Sequence, residues 1–168
     1  MAWFRARNIS TSTVPVPADV IWPFITDPQQ LAGLTPLIES IEPRNDLWTW
    51  RLHGIEALGL TVAAVFTESM TFIDERQIRF EHTPPAGSTE RTGVRGVYDV
   101  DPISETATGL RVDLTLSVEL PLPRAARPAV ERILQTSMRL TGRRFAENLY
   151  ELLDLDPRDV SVVEVSER

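Results

Sequence analysis

Residues 60–73 read LTVAAVFTESMTFI, residues 77–83 read QIRFEHT and residues 110–120 read LRVDLTLSVEL. In all three stretches the large apolar side chains fall on even numbers and most polar ones on odd numbers. The same parity holds in 47–53 (Trp48, Trp50 and Leu52 against Thr49 and Arg51) and in 91–101 (Val94, Tyr98 and Val100 against Arg95 and Asp99). Side chains alternate faces along a strand, so five such segments predict an antiparallel sheet with one wet face and one dry face. Three polar side chains interrupt the dry face: Glu68, His82 and Tyr98.

The turns fix the register. If Asp74-Glu75-Arg76 joins the strands 58–73 and 77–83, Ile73 pairs with Gln77 and Glu68 faces His82. A slip by one residue would turn a whole apolar set into water. Parity also survives the connections 84–90 and 102–108. Upstream, 4–14 reads as a first strand whose inward face is ambiguous, and 37–43 as a weak second strand. Between them lie two short helices. One spans 18–26 with Pro23 inside it, and the other is announced by Asp27 as N-cap and Pro28 at the first helical position.

Pro121 and Pro123 end the last strand, and from about Ala126 to Asp154 the period becomes helical. Leu134, Met138, Thr141, Phe145, Leu149 and Leu152 share one face of that helix, with Ser137 and Asn148 on its flank. The expected fold is α+β: a seven-stranded antiparallel sheet wrapped around a long C-terminal helix, with two short helices between strands 1 and 2. Residues 1–155 form one domain and 156–168 a tail, in which SVVEV (161–165) is either an added strand or disordered. A single helix about 10 Å wide cannot cover so broad a dry face, which leaves room for a cavity that suits a small apolar ligand.

Bulk properties exclude several classes. The net charge of -7 speaks against a general nucleic-acid binder. The absence of cysteine and the presence of only two histidines speak against disulfides and a metal site, and no cofactor motif is found. No signal-type or membrane-spanning apolar run is seen, so the expected location is the cytoplasm. Arg124 to Arg144 carries six Arg against one Glu. It reads as a solvated helix face, with contact to anionic lipid the less frequent alternative.

Taken with VPVPADVIWPFITDPQQLAGLTPLIESIEP (14–43), the hairpin GVYDVDPISETATGLRV (96–112) and the Arg-bearing last helix, the pattern resembles the START-like superfamily, also called SRPBCC or birch-pollen-allergen-like. The resemblance covers about residues 5 to 154. It implies a helix-grip fold around a hydrophobic tunnel. Members bind lipids, sterols, plant hormones or polyketides; some are cyclases or aromatases, and others deliver quinones. The glycine-rich loop of plant members is absent, with PRNDL (43–47) in its place.

The expected function is binding of a lipid-, quinone- or polyketide-like molecule in an internal cavity. The alternative is a polyketide cyclase, aromatase or dehydratase. In that case His82 would carry protons, Glu68 would orient it and Tyr98 would donate to a carbonyl. The competing reading of Glu68 and His82 is a pair at the open end of the sheet, satisfied by water or a loop residue such as Ser88. Tyr98 as a core aromatic bonded to backbone is the corresponding bland alternative. The expected lining is Trp48, Trp50, Phe66, Met70, Phe80, Leu114, Ser137, Met138, Thr141, Phe145 and Asn148.

Overall fold

The parity is realised as a continuous ladder. In the computed structural model, β6 (Val65–Ile73) and β7 (Gln77–His82) pair Ile73 with Gln77, Met70 with Phe80 and Glu68 with His82. Asp74 and Glu75 both take positive φ, 49° and 55°, the sense of twist that tight hairpin turns require. Arg51, Arg79, Arg95 and Arg111 are exposed on the wet face, whereas Trp48, Trp50, Phe66, Met70, Ile78 and Phe80 are buried. The structure describes residues 1–57, 60–62 and 64–165, with side chains described outside 55–63 and as far as residue 163. The faces expected for Leu60, Thr61, Val62 and Ala63 lie outside the described side chains.

The chain runs β1 (Ala2–Val14), α1 (Ala18–Thr26), α2 (Pro28–Leu34), β2 (Ile38–Arg44), β3 (Leu47–Leu52), β4 (Ile55–Ala57), β5 (Leu60–Val62), then β6 and β7. It continues with β8 (Thr92–Ser104), β9 (Ala107–Leu120), α3 (Arg127–Leu152) and β10 (Ser161–Val165). Asp27 caps α2 as expected, its carboxylate accepting from the N–H groups of Gln29 and Gln30 at 2.9 and 2.8 Å. The main sheet is antiparallel throughout, in the order β10-β1-β9-β8-β7-β6-β3-β2.

Three expectations need correction. The sheet has eight strands and not seven, because SVVEV pairs with β1, Thr13 opposite Ser161 and Ile9 opposite Val165. The single strand expected over 58–73 is divided: β5 leaves the main sheet and pairs with β4 in a hairpin whose register is one residue out of step with the β3–β6 ladder. The connection expected over 102–108 is almost wholly strand, since β8 and β9 remain paired down to Ser104 and Ala107.

Two side chains depart from the parity, each for a local reason. Phe72 is 42 % exposed near the end of β6, where it meets the rings of Trp22 and Trp48. Thr67 is odd-numbered yet buried, because Glu90 folds over it.

The helix packs along β1, and the core falls into two clusters. Phe4, Ala6, Leu116, Val118, Val130, Leu134 and Met138 fill one end. Ile21, Ile25, Trp48, Trp50, Phe66, Ile78, Phe80 and Tyr150 fill the other. Between Met138 and Leu149 no α3 residue is fully buried, and here the dry face is only half covered.

A candidate ligand cavity between sheet and helix

That uncovered region is a cavity of about 460 Å³ with a predominantly apolar wall. This is a volume in the range of small-molecule sites. The sheet contributes Trp50, Phe66, Met70, Ile78, Phe80, Val94, Leu110, Val112 and Leu114. Helix α3 contributes Met138, Thr141, Phe145 and Leu149, and α2 contributes Leu31. Phe66 and Trp50 stack with centroids 6.2 Å apart and planes 5° apart, while Phe80 tilts against Tyr98 at 5.6 Å. Gly96 makes the latter packing feasible. A Cβ there would come within 2.8 Å of the Phe80 ring and within 2.2 Å of the Asp113 carbonyl oxygen.

Of the expected lining, Trp50, Phe66, Met70, Phe80, Leu114, Met138, Thr141 and Phe145 border the cavity, as do Glu68 and Tyr98. Trp48, Ser137 and Asn148 do not. Trp48 is 4 % exposed and packs into the core beside Trp50 and Phe72. Asn148 donates from its amide nitrogen to the carbonyl of Leu34 at 2.9 Å, tying α3 to the end of α2.

His82 is also turned away from the cavity. Its Nε2 lies 2.9 Å from a carboxylate oxygen of Glu90. The same carboxylate accepts from the N–H and hydroxyl of Thr67 at 2.8 and 2.9 Å. The pairing of β7 with β8 stops at Phe80 and Gly96, and the imidazole occupies the space that Gly93 leaves. A Cβ on Gly93 would stand 2.4 Å from the ring. His82 therefore borders a separate groove with Trp3, Arg5, Arg95 and Ser117. The loop residue that satisfies it is Glu90, not Ser88, whose hydroxyl bonds to Pro85.

Glu68 is left by itself. It is 2 % exposed, borders the cavity, and has no hydrogen-bond partner among the described residues. Burial without a compensating cation pushes its carboxyl well above the ordinary 4.5. Tyr98 likewise has no hydrogen-bond partner among the described residues. Burial, and then the charge of Glu68, push its phenol up to about 12.

A second polar edge lies on β1, where Asn8, Ser10 and Ser12 border the cavity opposite Leu114, Val112 and Leu110. Ser12 lies near Tyr150 of α3, whose phenol is pushed up by burial. The mouth is framed by Arg139, Gly142, Arg143 and Glu147 of α3 and by Pro157 and Val162 of the tail. On the rest of that helix Arg127 pairs with Glu131 and Arg144 with Glu147, each at 3.0 Å, so part of its positive charge is offset locally. Among the described residues no helix is long and apolar enough to cross a membrane.

Solved structures share this architecture. A conserved protein from Geobacillus kaustophilus superposes with a TM-score of 0.68 at 16% identity, over 92% of this chain and 98% of that one. A START superfamily protein from Mycobacterium smegmatis gives 0.60 at 19% identity, over 88% and 97% of the two chains. The Zhui aromatase/cyclase from Streptomyces sp. R1128 gives 0.60 at 17% identity, over 90% and 96%. At these identities the likeness concerns the fold. No curated protein matches the sequence. The family described as polyketide cyclase / dehydrase and lipid transport matches residues 7–149. With nearly the whole helix-grip inside that match, the chain belongs to the polyketide cyclase/dehydrase and lipid transport family.

Proposed function

We propose that the protein binds a small, mainly apolar molecule, lipid-, quinone- or polyketide-like, in the cavity between sheet and α3. The observation that carries this reading is the cavity itself, about 460 Å³ enclosed by the dry face of the sheet and bordered at its mouth by α3 and the tail. Apolar burial is the dominant driving force available there, at about 25 cal/mol per Å² removed from water. Native mass spectrometry of the protein purified from its own host should reveal a retained small molecule. The apolar dye ANS should also bind the native protein and be displaced by a flat aromatic. A native protein that takes up neither dye nor ligand would remove the basis of the proposal.

The catalytic alternative is favoured by one observation: Glu68 and Tyr98 both border the cavity, and the charge of Glu68 bears on the phenol. A carboxyl whose protonated form is favoured by burial can act as a general acid toward a ligand carbonyl. His82, engaged with Glu90, has no part in such a reaction. Cyclisation of a linear poly-β-ketone by the wild type, lost in Glu68→Gln, would establish catalysis. Equal product with and without the protein would leave binding as the function.

A further inference from the structure

Glu68 has no structural duty to explain it. Its neighbours on β6 and β7 that border the cavity, Phe66, Met70 and Phe80, are apolar, and a leucine in its place would bury the same surface without the cost of an unpartnered carboxyl. The imidazole opposite it is committed to Glu90. Tyr98 on β8 presents a second unpartnered group to the same space. On a predominantly apolar wall that also holds the unpartnered Nε1 of Trp50, these unpaired groups are what a site built for an oxygenated ligand needs, since they stay unpaired until that ligand arrives.

We infer that Glu68 and Tyr98 are the specificity-determining groups of the cavity and hydrogen-bond the acceptor oxygens, carbonyl above all, of an otherwise apolar ligand. This inference rests on the ligand-binding reading above and adds the functional group the ligand carries.

The direction of the hydrogen bonds follows from the surroundings. The cavity-facing residues of β3, β6, β7 and β8 near Glu68 include no base. The charged residues of α3 that reach the cavity, Arg139, Arg143 and Glu147, frame its mouth. β1 brings only the neutral Asn8, Ser10 and Ser12, and α2 the neutral Thr35. With no cation to hold a carboxylate, burial favours the protonated, donating form of Glu68, and the phenol of Tyr98 donates too. Such a site prefers a ligand that accepts over an isosteric one that cannot, because the hydrocarbon would leave both donors unpaired.

Fluorene and 9-fluorenone share one tricyclic skeleton and differ in a methylene replaced by a carbonyl. Both can be titrated into the full chain at neutral pH by tryptophan fluorescence. Fluorenone should bind about tenfold more tightly or better, the equivalent of about 1.4 kcal/mol. In Glu68→Leu the preference should shrink to about twofold or less, with fluorene binding kept or improved. Tyr98→Phe should reduce it several-fold. Glu68→Gln keeps a donor and should keep part of it, which also guards against a folding defect in the leucine variant. Equal affinities in the wild type, or a preference that survives Glu68→Leu in folded protein, would overturn the inference while ligand binding stands. Binding of neither probe would overturn the ligand-binding reading and this inference with it.

Discussion

Glu68 and His82 stand directly opposite each other in the β6–β7 ladder, and their side chains serve different places. The carboxyl borders the cavity, while the imidazole reaches Glu90 at 2.9 Å in the gap beside Gly93. Pairing of backbone positions does not make an ion pair. The two groups should therefore behave independently in a double-mutant cycle. Glu68→Leu should stabilise the protein by about 1–3 kcal/mol, because it removes an unsatisfied buried group. His82→Leu should destabilise it, and the double variant should equal the sum within about 0.3–0.5 kcal/mol. A larger coupling in urea unfolding would mean that the carboxyl and the ring interact after all.

The titration of Glu68 sets a pH dependence of stability. Its folded value is raised and its unfolded value is the ordinary one, near 4.5. Between the two the unfolded chain binds fewer protons, so stability falls as pH rises through this window. The favourable contribution is complete below the unfolded value and is lost on approach to the folded one. Because Glu68→Gln does not titrate, the stability of the wild type relative to this variant should decline as pH is raised above the unfolded value near 4.5. A flat difference, followed by chemical denaturation across that range, would show a carboxyl that ionises as it does in water.

Glu90 holds the 84–91 loop to the sheet by three contacts, to the His82 ring and to the N–H and hydroxyl of Thr67. Glu90→Ala leaves a mostly buried backbone N–H unpaired and should cost about 1–3 kcal/mol. Hydrogen exchange at Thr67 should accelerate by more than that of the rest of β6. Unchanged exchange would show that the loop is held by something else.

Two glycines should respond oppositely to alanine. At Gly96 a Cβ would stand 2.2 Å from the Asp113 carbonyl oxygen, so backbone must move and stability should drop. At Gly142, inside α3 and at the cavity mouth, a Cβ meets nothing within 4 Å. Gly142→Ala should gain close to the helix-propensity difference, about 1 kcal/mol. Thermal melts of the two variants, one above and one below the wild type, provide the check.

How far the sequence reveals this molecule depends on where side-chain period meets an apolar face. From Trp48 to Leu120 the alternation is strong, and it predicts both the register and most of the cavity wall. On β1 it is hidden, because the inward set mixes Phe4, Ala6 and Val14 with Asn8, Ser10 and Ser12. The polar edge of the cavity was missed for that reason. Extending the even-numbered rule across the β1–β9 pairing would have found it, since Asn8 faces Leu114 and Ser10 faces Val112. Tyr150 was missed because it sits one step off the apolar stripe that runs through Leu149. His82 misled for a different reason: parity gives the starting direction of a side chain, while the partner at its tip is set by a gap beside Gly93 and a glutamate eight residues away. SVVEV was too short to declare itself, and its pairing with β1 is decided by where the chain emerges after α3.

That last pairing bears on self-association. An open β1 would offer the amide and carbonyl row from Ile9 to Thr13 to any other chain, and β10 occupies it. The opposite border, β2, carries Pro43, which has no amide hydrogen to offer, and is short and charged with Glu39, Glu42 and Arg44. An open sheet with a long unpaired border would otherwise be an invitation to fibrillar growth. The five-residue β10 thus acts as a selvedge, a short new border in place of the thirteen-residue β1.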